Sequence, residues 1–405
     1  MRLQQPELLQ QEESKVKMIA SAEVLLVFLA IISVGANLRA PLTSVGPLVG
    51  NIRASLGISS FAAGFLTTLP LLAFAAVSPF APKLSRRFGM QTVLFGASVL
   101  ITAGVFLRMV SHVGPLFAGT LLIGLGIAFG NVLIPGLIKS SFPHHIGLMT
   151  GIYAVSMNVC AAIASGLSVP VAGRLGWNGS LGYWGFISLV AILVLLPQVK
   201  LRRSVSAGRA AVQKGANMWK SKLAWCITVF MGLQSLIFYT TVAWLPEIMT
   251  ERGITVSAAG WMLSIMQFAL IPFTFIIPII AGKMKSQIPL VILTGALFIG
   301  GTLGILFGST SLMVVWAILI GIGGGTAFSL AMMFFSLRTR SSQEASELSG
   351  MAQSFGYLLA AAGPALFGVL HDATNSWTLP LLLLLGVSVA ILLAGLVSGR
   401  NVQIR

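Results

Sequence analysis

The sequence contains little charge, and acidic residues are especially scarce. Only 8% of its 405 residues are charged, with 9 Asp and Glu residues against 25 Lys and Arg residues. Soluble domains carry about 25% charged residues, so a chain this poor in charge cannot cover a water-exposed surface. Its 56% hydrophobic content and mean hydropathy of +0.95 are instead typical of a protein that crosses the bilayer many times.

Cysteine is rare, and the common catalytic motifs are missing. Both cysteines, Cys160 and Cys226, lie in apolar segments, and no CxxC pair or His/Cys metal spacing occurs. There is no HExxH, GxSxG or P-loop sequence, and no polar segment is long enough for an ATPase domain. The sequence therefore predicts a protein that is not an enzyme, uses no cofactor or metal and is not an ATP-driven pump.

The apolar segments and the basic loops between them predict the topology. About twelve segments approach the ~20 residues that a spanning helix needs. Of the 25 basic residues, Arg39 lies within the first span and 20 fall in tails and loops that would share one side. The other 4, in loops on the opposite side, are Arg53, Arg108, Arg174 and Arg252. The positive-inside rule predicts a multi-pass protein with an even number of spans and both termini in the cytoplasm. The same rule explains the net charge of +16 without nucleic acid as a partner.

A basic loop divides the chain into two similar halves. The predicted units are a cytoplasmic tail (1–21), a six-helix bundle (22–198), a basic cytoplasmic linker (199–222), a second six-helix bundle (223–398) and a cytoplasmic tail (399–405). Two short runs recur near half the chain length: Ala62-Ala63-Gly64 as Ala258-Ala259-Gly260, and Ile123-Gly124-Leu125-Gly126 as Ile320-Gly321-Ile322-Gly323. Internal repeats of this kind characterise secondary transporters, whose substrate site lies near the midplane between the halves.

The loop after the second span resembles the signature loop of the major facilitator superfamily. It reads Pro82-Lys83-Leu84-Ser85-Arg86-Arg87-Phe88-Gly89. The resemblance implies an all-α membrane protein with twelve transmembrane helices in two six-helix halves related by pseudo-two-fold symmetry. It also implies alternating access and a working monomer. Lys83, Arg86, Arg87 and Gly89 would be conformational elements, whereas Ser85 stands where the signature has an aspartate.

A more specific resemblance lies in the first two spans. The first contains Asn37-Leu38-Arg39-Ala40-Pro41-Leu42-Thr43-Ser44-Val45, and the second contains Leu69-Pro70 and Ser78-Pro79-x-Ala81-Pro82. These runs are similar to the cyanate permease and 2-nitroimidazole transporter family. Members of that family handle different small solutes, so the resemblance implies a small solute without identifying it.

Arg39 is the central candidate for substrate binding. A charge in the middle of a span costs at least about 3 kcal/mol, and no acid lies in the middle of any span to neutralise it. The donor fork of guanidinium matches a planar anion. Pro41 cannot donate a hydrogen bond to the Asn37 carbonyl, so it is expected to break the helix beside Arg39. Alternatively, Arg39 bonds to carbonyls of neighbouring helices or extends to the membrane surface as a packing element.

Other polar side chains within the spans are predicted to line the same cavity. They are Asn37, Thr43, Asn131 and Asn158 in the first half, and Gln234, Tyr239, Gln267, Gln353 and Tyr357 in the second. Amide and hydroxyl groups suit a small polar ligand because they donate and accept hydrogen bonds. Each could equally form an interhelical hydrogen bond that stabilises its bundle.

The scarcity of acids bears on energy coupling. Glu247, near the outer end of the seventh span, is the acid best placed to carry a proton, yet it lies away from the midplane. We therefore expect no dedicated proton relay. The leading prediction is a secondary active or facilitative transporter of a small, cyanate-like anion that Arg39 binds. The alternatives are an exporter of small nitroheteroaromatic or other toxic compounds, and a membrane sensor that binds its ligand without transport.

Overall fold

The computed structural model describes residues 23–205 and 217–404, and in these ranges the chain is helical without strands. The helices are α1 (23–37), α2 (Ala40–Thr43), α3 (Val49–Leu56), α4 (Ser60–Val77), α5 (Ala81–Phe88), α6 (Met90–Leu107), α7 (Val113–Ser141), α8 (Ile146–Tyr183), α9 (Gly185–Val205), α10 (Lys222–Glu251), α11 (Val256–Lys283), α12 (Ile288–Phe307), α13 (Met313–Leu337), α14 (Ser342–Thr374) and α15 (Thr378–Ser398). The predicted tail at 1–21 and part of the predicted linker, 206–216, lie outside the described residues. The described part of that linker includes the end of α9, which continues to Val205.

Twelve membrane-spanning segments account for these helices. By length and hydropathy, eleven stretches of the described residues could cross a bilayer. One of them, Ile146–Val199, is 54 residues long and bends at Gly176, whose φ is +73°, so it supplies two spans. The first span comprises α1, α2 and α3, and the second runs through α4 and α5. The predicted all-α fold with twelve spans is confirmed.

The two halves of the molecule, α1–α9 and α10–α15, are closely packed at one end. We call this end the terminal side, because α1 begins there and α15 ends there. A Cβ atom on Gly147 of α8 would lie 2.3 Å from the Pro278 carbonyl oxygen of α11. One on Gly151 would lie 2.9 Å from the Phe275 carbonyl oxygen. Only glycine permits this approach of α8 to α11, as in other closely packed membrane helices.

On the opposite side the same two helix faces are apart. Val169 lies about five turns beyond Gly151 on the same face of α8, and it is 55% exposed. Gly260 lies about five turns before Pro278 on the same face of α11, and no atom lies within 4 Å of its Cβ position. Trp261 beside it is 68% exposed. The interface is therefore closed on the terminal side and parted on the other.

Candidate functional site

The first span is broken where Arg39 lies. α1 ends before Leu38, and α2 begins at Ala40. Pro41 has no amide hydrogen to continue the helical ladder, and the Leu38 amide donates to the Gly35 carbonyl at 3.1 Å, three residues back. The helix break predicted from Pro41 is therefore present, and Arg39 occupies it with φ −128° and ψ −35°.

Contacts from both halves hold the Arg39 guanidinium. Its Nη1 donates a hydrogen bond to Asn158 Oδ1 at 3.0 Å, and Asn158 is itself oriented by donation to the Ala154 carbonyl at 2.9 Å. From the second half, the rings of Phe238 and Phe328 lie 5.5 and 5.4 Å from Arg39 Cζ, within range of a cation–π interaction. In the described part of the chain, no carboxylate forms an ion pair with Arg39.

A cavity between the halves opens onto Arg39. About 370 Å³ of space there is not filled by protein atoms, and part of this space is open to solvent. Its lining comes from both halves: Arg39, Asn158, Gln234, Ser235, Phe238, Tyr239, Leu270, Gly324, Phe328 and Tyr357. The lining offers guanidinium, amide, hydroxyl and aromatic groups and no carboxylate. Such a set favours a ligand that is small and negatively charged or electron-rich.

Five of the predicted site residues lie in this lining, and five other lining residues were missed. The predicted ones are Arg39, Asn158, Gln234, Tyr239 and Tyr357. The missed ones are apolar or small, so polarity could not reveal them. Helical periodicity carries a partial signal, because Ser235 and Phe238 share a face of α10 with the predicted Gln234 and Tyr239.

Asn37 and Thr43 lie in the same span but away from the cavity lining. Asn37 is 1% exposed, and its Nδ2 donates to the carbonyls of Ser33 and Ile187 at 2.8 and 3.0 Å. The Ser188 hydroxyl donates to Asn37 Oδ1 at 2.6 Å, so this amide ties α1 to α9. The Thr43 hydroxyl donates to the Ala161 carbonyl of α8 at 3.0 Å. Both side chains thus serve interhelical hydrogen bonding.

Three other candidates are also absent from the lining. Asn131 accepts a hydrogen bond from the hydroxyl of buried Tyr153 at 3.1 Å, within the first half. Gln267 is exposed on α11. Gln353 lies one helical turn before Tyr357 on α14 and is fully buried. Its Nε2 donates to the Ser349 hydroxyl at 2.8 Å.

The candidates for gating and proton coupling lie away from the cavity. On the terminal side, Arg86 of α5 and Glu347 of α14 form an ion pair across the halves at 2.6 Å. The remaining loop residues form local contacts: Lys83 over the ring of Phe80, Arg87 over the ring of Phe88, and Gly89 at φ +85° after α5. Ser85 donates to the Pro82 carbonyl of its own helix at 3.0 Å and does not reach the second half. Glu247 is exposed near the end of α10, and its carbonyl accepts from the Thr250 hydroxyl.

Near the cavity, the two halves meet through aromatic side chains. The rings of Phe74 (α4) and Tyr357 (α14) pack edge to face with centroids 5.0 Å apart. The Ser354 hydroxyl, one turn before Tyr357, donates to the Ala75 carbonyl at 2.6 Å. Because α14 begins on the terminal side, these contacts separate the cavity from that side. A solute in the cavity would therefore be barred from leaving in that direction.

A cavity lined by both of two six-helix halves is typical of one class of protein, the membrane transporters. The sequence matches the model of the Major Facilitator Superfamily over residues 24–364, so the chain belongs to that superfamily. It is 46% identical over 374 residues to the uncharacterized transporter YycB of Bacillus subtilis, a match covering 92% of each chain. It is 39% identical over 378 residues to the 2-nitroimidazole transporter of Escherichia coli, covering 93% of this chain and 95% of the other.

More distant relatives agree with this assignment. The cyanate transport protein CynX of Escherichia coli is 25% identical over 354 residues, covering 86% of this chain and 91% of the other. Among solved structures, the proton:xylose symporter XylE superposes with a TM-score of 0.75 at 14% identity, covering 95% of this chain and 98% of the other. The protein is a multi-pass membrane transporter and not an enzyme, and the predicted relationship to the cyanate and 2-nitroimidazole transporters is confirmed.

Proposed function

We propose that the protein carries a small anion across the bacterial inner membrane by alternating access, and that Arg39 binds this anion. The observation that carries the proposal is the Arg39 guanidinium at the cavity, held by a neutral amide and two aromatic rings. Keeping a cation in a membrane without a counter-ion costs free energy, and a bound anion would supply the missing negative charge. The donors of Arg39 that Asn158 leaves free can bind two oxygen atoms of a planar anion.

The rest of the lining supports a small, planar solute. The amide of Gln234 and the hydroxyls of Ser235 and Tyr239 lie on one face of α10, opposite Arg39 across the cavity. The rings of Phe238 and Phe328 offer flat apolar walls. Because α10 and α13 belong to the second half, a solute that bridges them to Arg39 would contact both halves at once. All of these groups come from one chain, so we propose that the monomer is the working unit.

The packing of the halves supports one state of an alternating-access cycle. The terminal side is closed, and the opposite side is parted. With both termini in the cytoplasm, as the loop charges predict, this state faces outward. Pro41, through the helix break, and Lys83, Arg86, Arg87 and Gly89 on the terminal side are the residues proposed to act in the conformational change.

Binding and flux measurements in proteoliposomes test the proposal. Cyanate, nitrate and 4-hydroxybenzoate would each be assayed by thermal stabilisation and by counterflow, with wild type beside Arg39→Gln. We expect Arg39→Gln to fold normally and to lose affinity for the anion by tenfold or more, the approximate value of a charged hydrogen bond. The matched control is Arg174→Gln, because Arg174 is exposed and distant from the cavity. Anion transport that is equal in wild type and Arg39→Gln would refute the role of Arg39.

A second candidate is the export of neutral nitroheteroaromatic compounds. The two phenylalanine rings on the cavity favour it, as does the 39% identity to a 2-nitroimidazole transporter. The same assay separates the candidates when 2-nitroimidazole is included. If 2-nitroimidazole stabilises wild type and Arg39→Gln equally and no anion stabilises either, the anion proposal is wrong and the second candidate replaces it, with counterflow of 2-nitroimidazole as its test of transport.

A further inference from the structure

A second arginine lies behind the break in the first span. Arg108, one of the four basic residues that the loop charges assign to the opposite side, directly follows α6 and is 0% exposed. Gly119 of α7 provides its space, since a Cβ atom there would lie 2.7 Å from Arg108 Cγ. Burying a charged group without a counter-ion is among the most costly arrangements in proteins. A residue retained at such a cost calls for a specific role.

The Arg108 guanidinium binds a carbonyl that the helix break sets free. Its Nη2 donates a hydrogen bond to the Pro41 carbonyl oxygen at 2.9 Å. In a continuous helix this carbonyl would accept from Val45, but the Val45 amide donates to Leu42 at 3.3 Å. The Ser44 hydroxyl also donates to the Pro41 carbonyl oxygen, at the longer distance of 3.3 Å. Arg108 therefore supplies the shorter of the two hydrogen bonds to this carbonyl, and with the Thr43 bond to Ala161 it ties the segment after Arg39 to its neighbours.

The remaining donors of Arg108 have no partner in the described structure. Its Nε and Nη1 are buried without a hydrogen bond, and no acid forms an ion pair with it. Burial lowers the pKa of Arg108 to about 9, so it keeps its charge at neutral pH. The Pro41 carbonyl that it binds belongs to a residue two positions after Arg39 in the chain.

We propose that Arg108 is a positioning residue for the proposed substrate site. By binding the Pro41 carbonyl, it fixes the broken segment Ala40–Ser44 and thereby the direction in which Arg39 enters the cavity. The inference rests on the proposed function, because it assigns Arg108 an action through Arg39. Arg108 itself is not one of the residues that line the cavity.

The chain provides a matched control in Arg252. It lies at the end of α10, on the same side of the membrane as Arg108, and its Nη2 donates to the Leu306 carbonyl at 2.8 Å. Burial lowers its pKa as well. Arg252 thus makes the same kind of bond to a backbone carbonyl, but far from the break beside Pro41. A general structural effect of removing such an arginine would appear in both variants.

The test combines a double-mutant cycle with hydrogen exchange. Arg108→Met, Arg108→Gln and Arg252→Met are made in wild type and in Arg39→Gln, and binding of nitrate and 4-hydroxybenzoate is measured. Arg108→Met should weaken anion binding about tenfold, the size of one charged hydrogen bond, while the Tm stays constant or rises because a buried unpaired charge is gone. Arg108→Gln can still donate to the Pro41 carbonyl and should lose less. In the Arg39→Gln background, Arg108→Met should have no further effect.

Each outcome decides between the two proposals. If Arg39→Gln weakens binding and Arg108→Met does not, or if the two losses simply add, the positioning role is wrong and the Arg39 site stands. If Arg39→Gln binds like wild type, the proposed function is wrong. Hydrogen exchange needs no ligand: amides of residues 38–45 should exchange faster in Arg108→Met and not in Arg252→Met. Unchanged exchange in that segment would overturn the positioning role whatever the binding data show.

Discussion

The Lys139 ammonium group of α7 donates a hydrogen bond to the Ser336 carbonyl oxygen of α13 at 2.7 Å, across the boundary between the halves. It also donates to the carbonyl and hydroxyl oxygens of Thr339, just beyond the end of α13. A cation at a helix C-terminus satisfies the last carbonyls and interacts favourably with the helix dipole. Lys139 therefore joins one half to the helix end of the other and helps to close the terminal side.

We expect Lys139→Met to shift the transporter toward a state that is open on the terminal side. The loss of charged hydrogen bonds should change the ratio of closed to open molecules about tenfold. Spin labels at the exposed positions His144 and Lys285, one in each half, would report the separation. The matched control is Lys222→Met, because Lys222 is exposed at the start of α10. Equal distance distributions in Lys139→Met and wild type would show that Lys139 does not hold the gate.

The Arg86–Glu347 pair should contribute much less than Lys139. Its two side chains are 51% and 24% exposed, and exposed ion pairs are typically worth about 0–1 kcal/mol. Glu347→Gln should therefore change the label distances only slightly at 0.15 M salt. A shift as large as that of Lys139→Met would mean that the signature-loop arginine, and not Lys139, dominates closure.

Gly147 offers a steric test of the same gate. A Cβ atom there would lie 2.3 Å from the Pro278 carbonyl oxygen, and a backbone atom cannot yield as a side-chain tip can. Gly147→Ala should hinder closure of the terminal side and slow transport. Gly166→Ala on the same helix is the control, since no atom lies within 4 Å of its Cβ position. Cysteine accessibility at the Asn158 position from the terminal side should rise in Gly147→Ala alone. Equal accessibility in both variants would contradict the role of Gly147.

The sequence predicted the fold well because hydropathy and loop charge are properties of whole segments. It predicted the site less well, because a polar side chain in a span has two possible uses. Asn37 and Asn158 are both asparagines in transmembrane helices, yet Asn37 bonds to α9 and Asn158 holds Arg39 in the cavity. Only the neighbouring helix distinguishes them, and a single sequence does not specify which helix that is.

Arg108 shows a different limit of the sequence. It lies at the end of an apolar segment, so loop-charge counting assigned it to an outer loop and gave no sign of its burial. Its burial depends on Gly119 in the next helix, which leaves space for the side chain, and on Pro41 in the first span, which frees a carbonyl. Those three positions are far apart in the chain, so their meeting could not be read from local patterns.

The tail after α15 is docked against the bundle, and its removal should be costly. The Ile404 side chain is 1% exposed, and its amide donates to the Arg338 carbonyl at 2.8 Å. The Arg338 guanidinium in turn donates to the Ser398 carbonyl oxygen at 2.8 Å and to the side-chain amide oxygen of Gln287. Burial lowers the pKa of Arg338 to about 10, so it is charged at neutral pH and needs these acceptors.

We therefore expect Ile404→Ala to destabilise the protein by about 2–3 kcal/mol, as other losses of buried aliphatic groups do. Because Arg338 follows α13 directly, the variant should also loosen the helix end that receives Lys139. The measurements are the Tm in detergent and the label distance on the terminal side. Val402→Ala is the control, since Val402 is 50% exposed. If both substitutions lower the Tm equally, the buried side chain of Ile404 contributes no more to stability than the exposed side chain of Val402.

The composition of the cavity predicts how binding depends on pH. Its lining contains no His, Asp, Glu, Lys or Cys, the side chains whose ordinary or commonly shifted pKa values fall between pH 5 and 8. The affinity for nitrate, which keeps its charge throughout, should therefore be the same at pH 6 and pH 8. An affinity that falls across this interval would reveal a titrating group that the cavity lining does not contain.

Glu247 is the acid that the sequence singles out as the nearest candidate for proton coupling. It is exposed near the end of α10 and absent from the cavity lining, so we expect Glu247→Gln to leave nitrate counterflow and its response to a pH gradient unchanged. Glu251→Gln is the control, because Glu251 lies one turn further on and its carboxylate is 3.1 Å from His371 Nε2. Flux that collapses in Glu247→Gln alone, together with loss of the response to a proton gradient, would establish Glu247 as the coupling residue. Flux that persists without this acid would fit exchange, passive transport or a proton that travels with a weak-acid substrate.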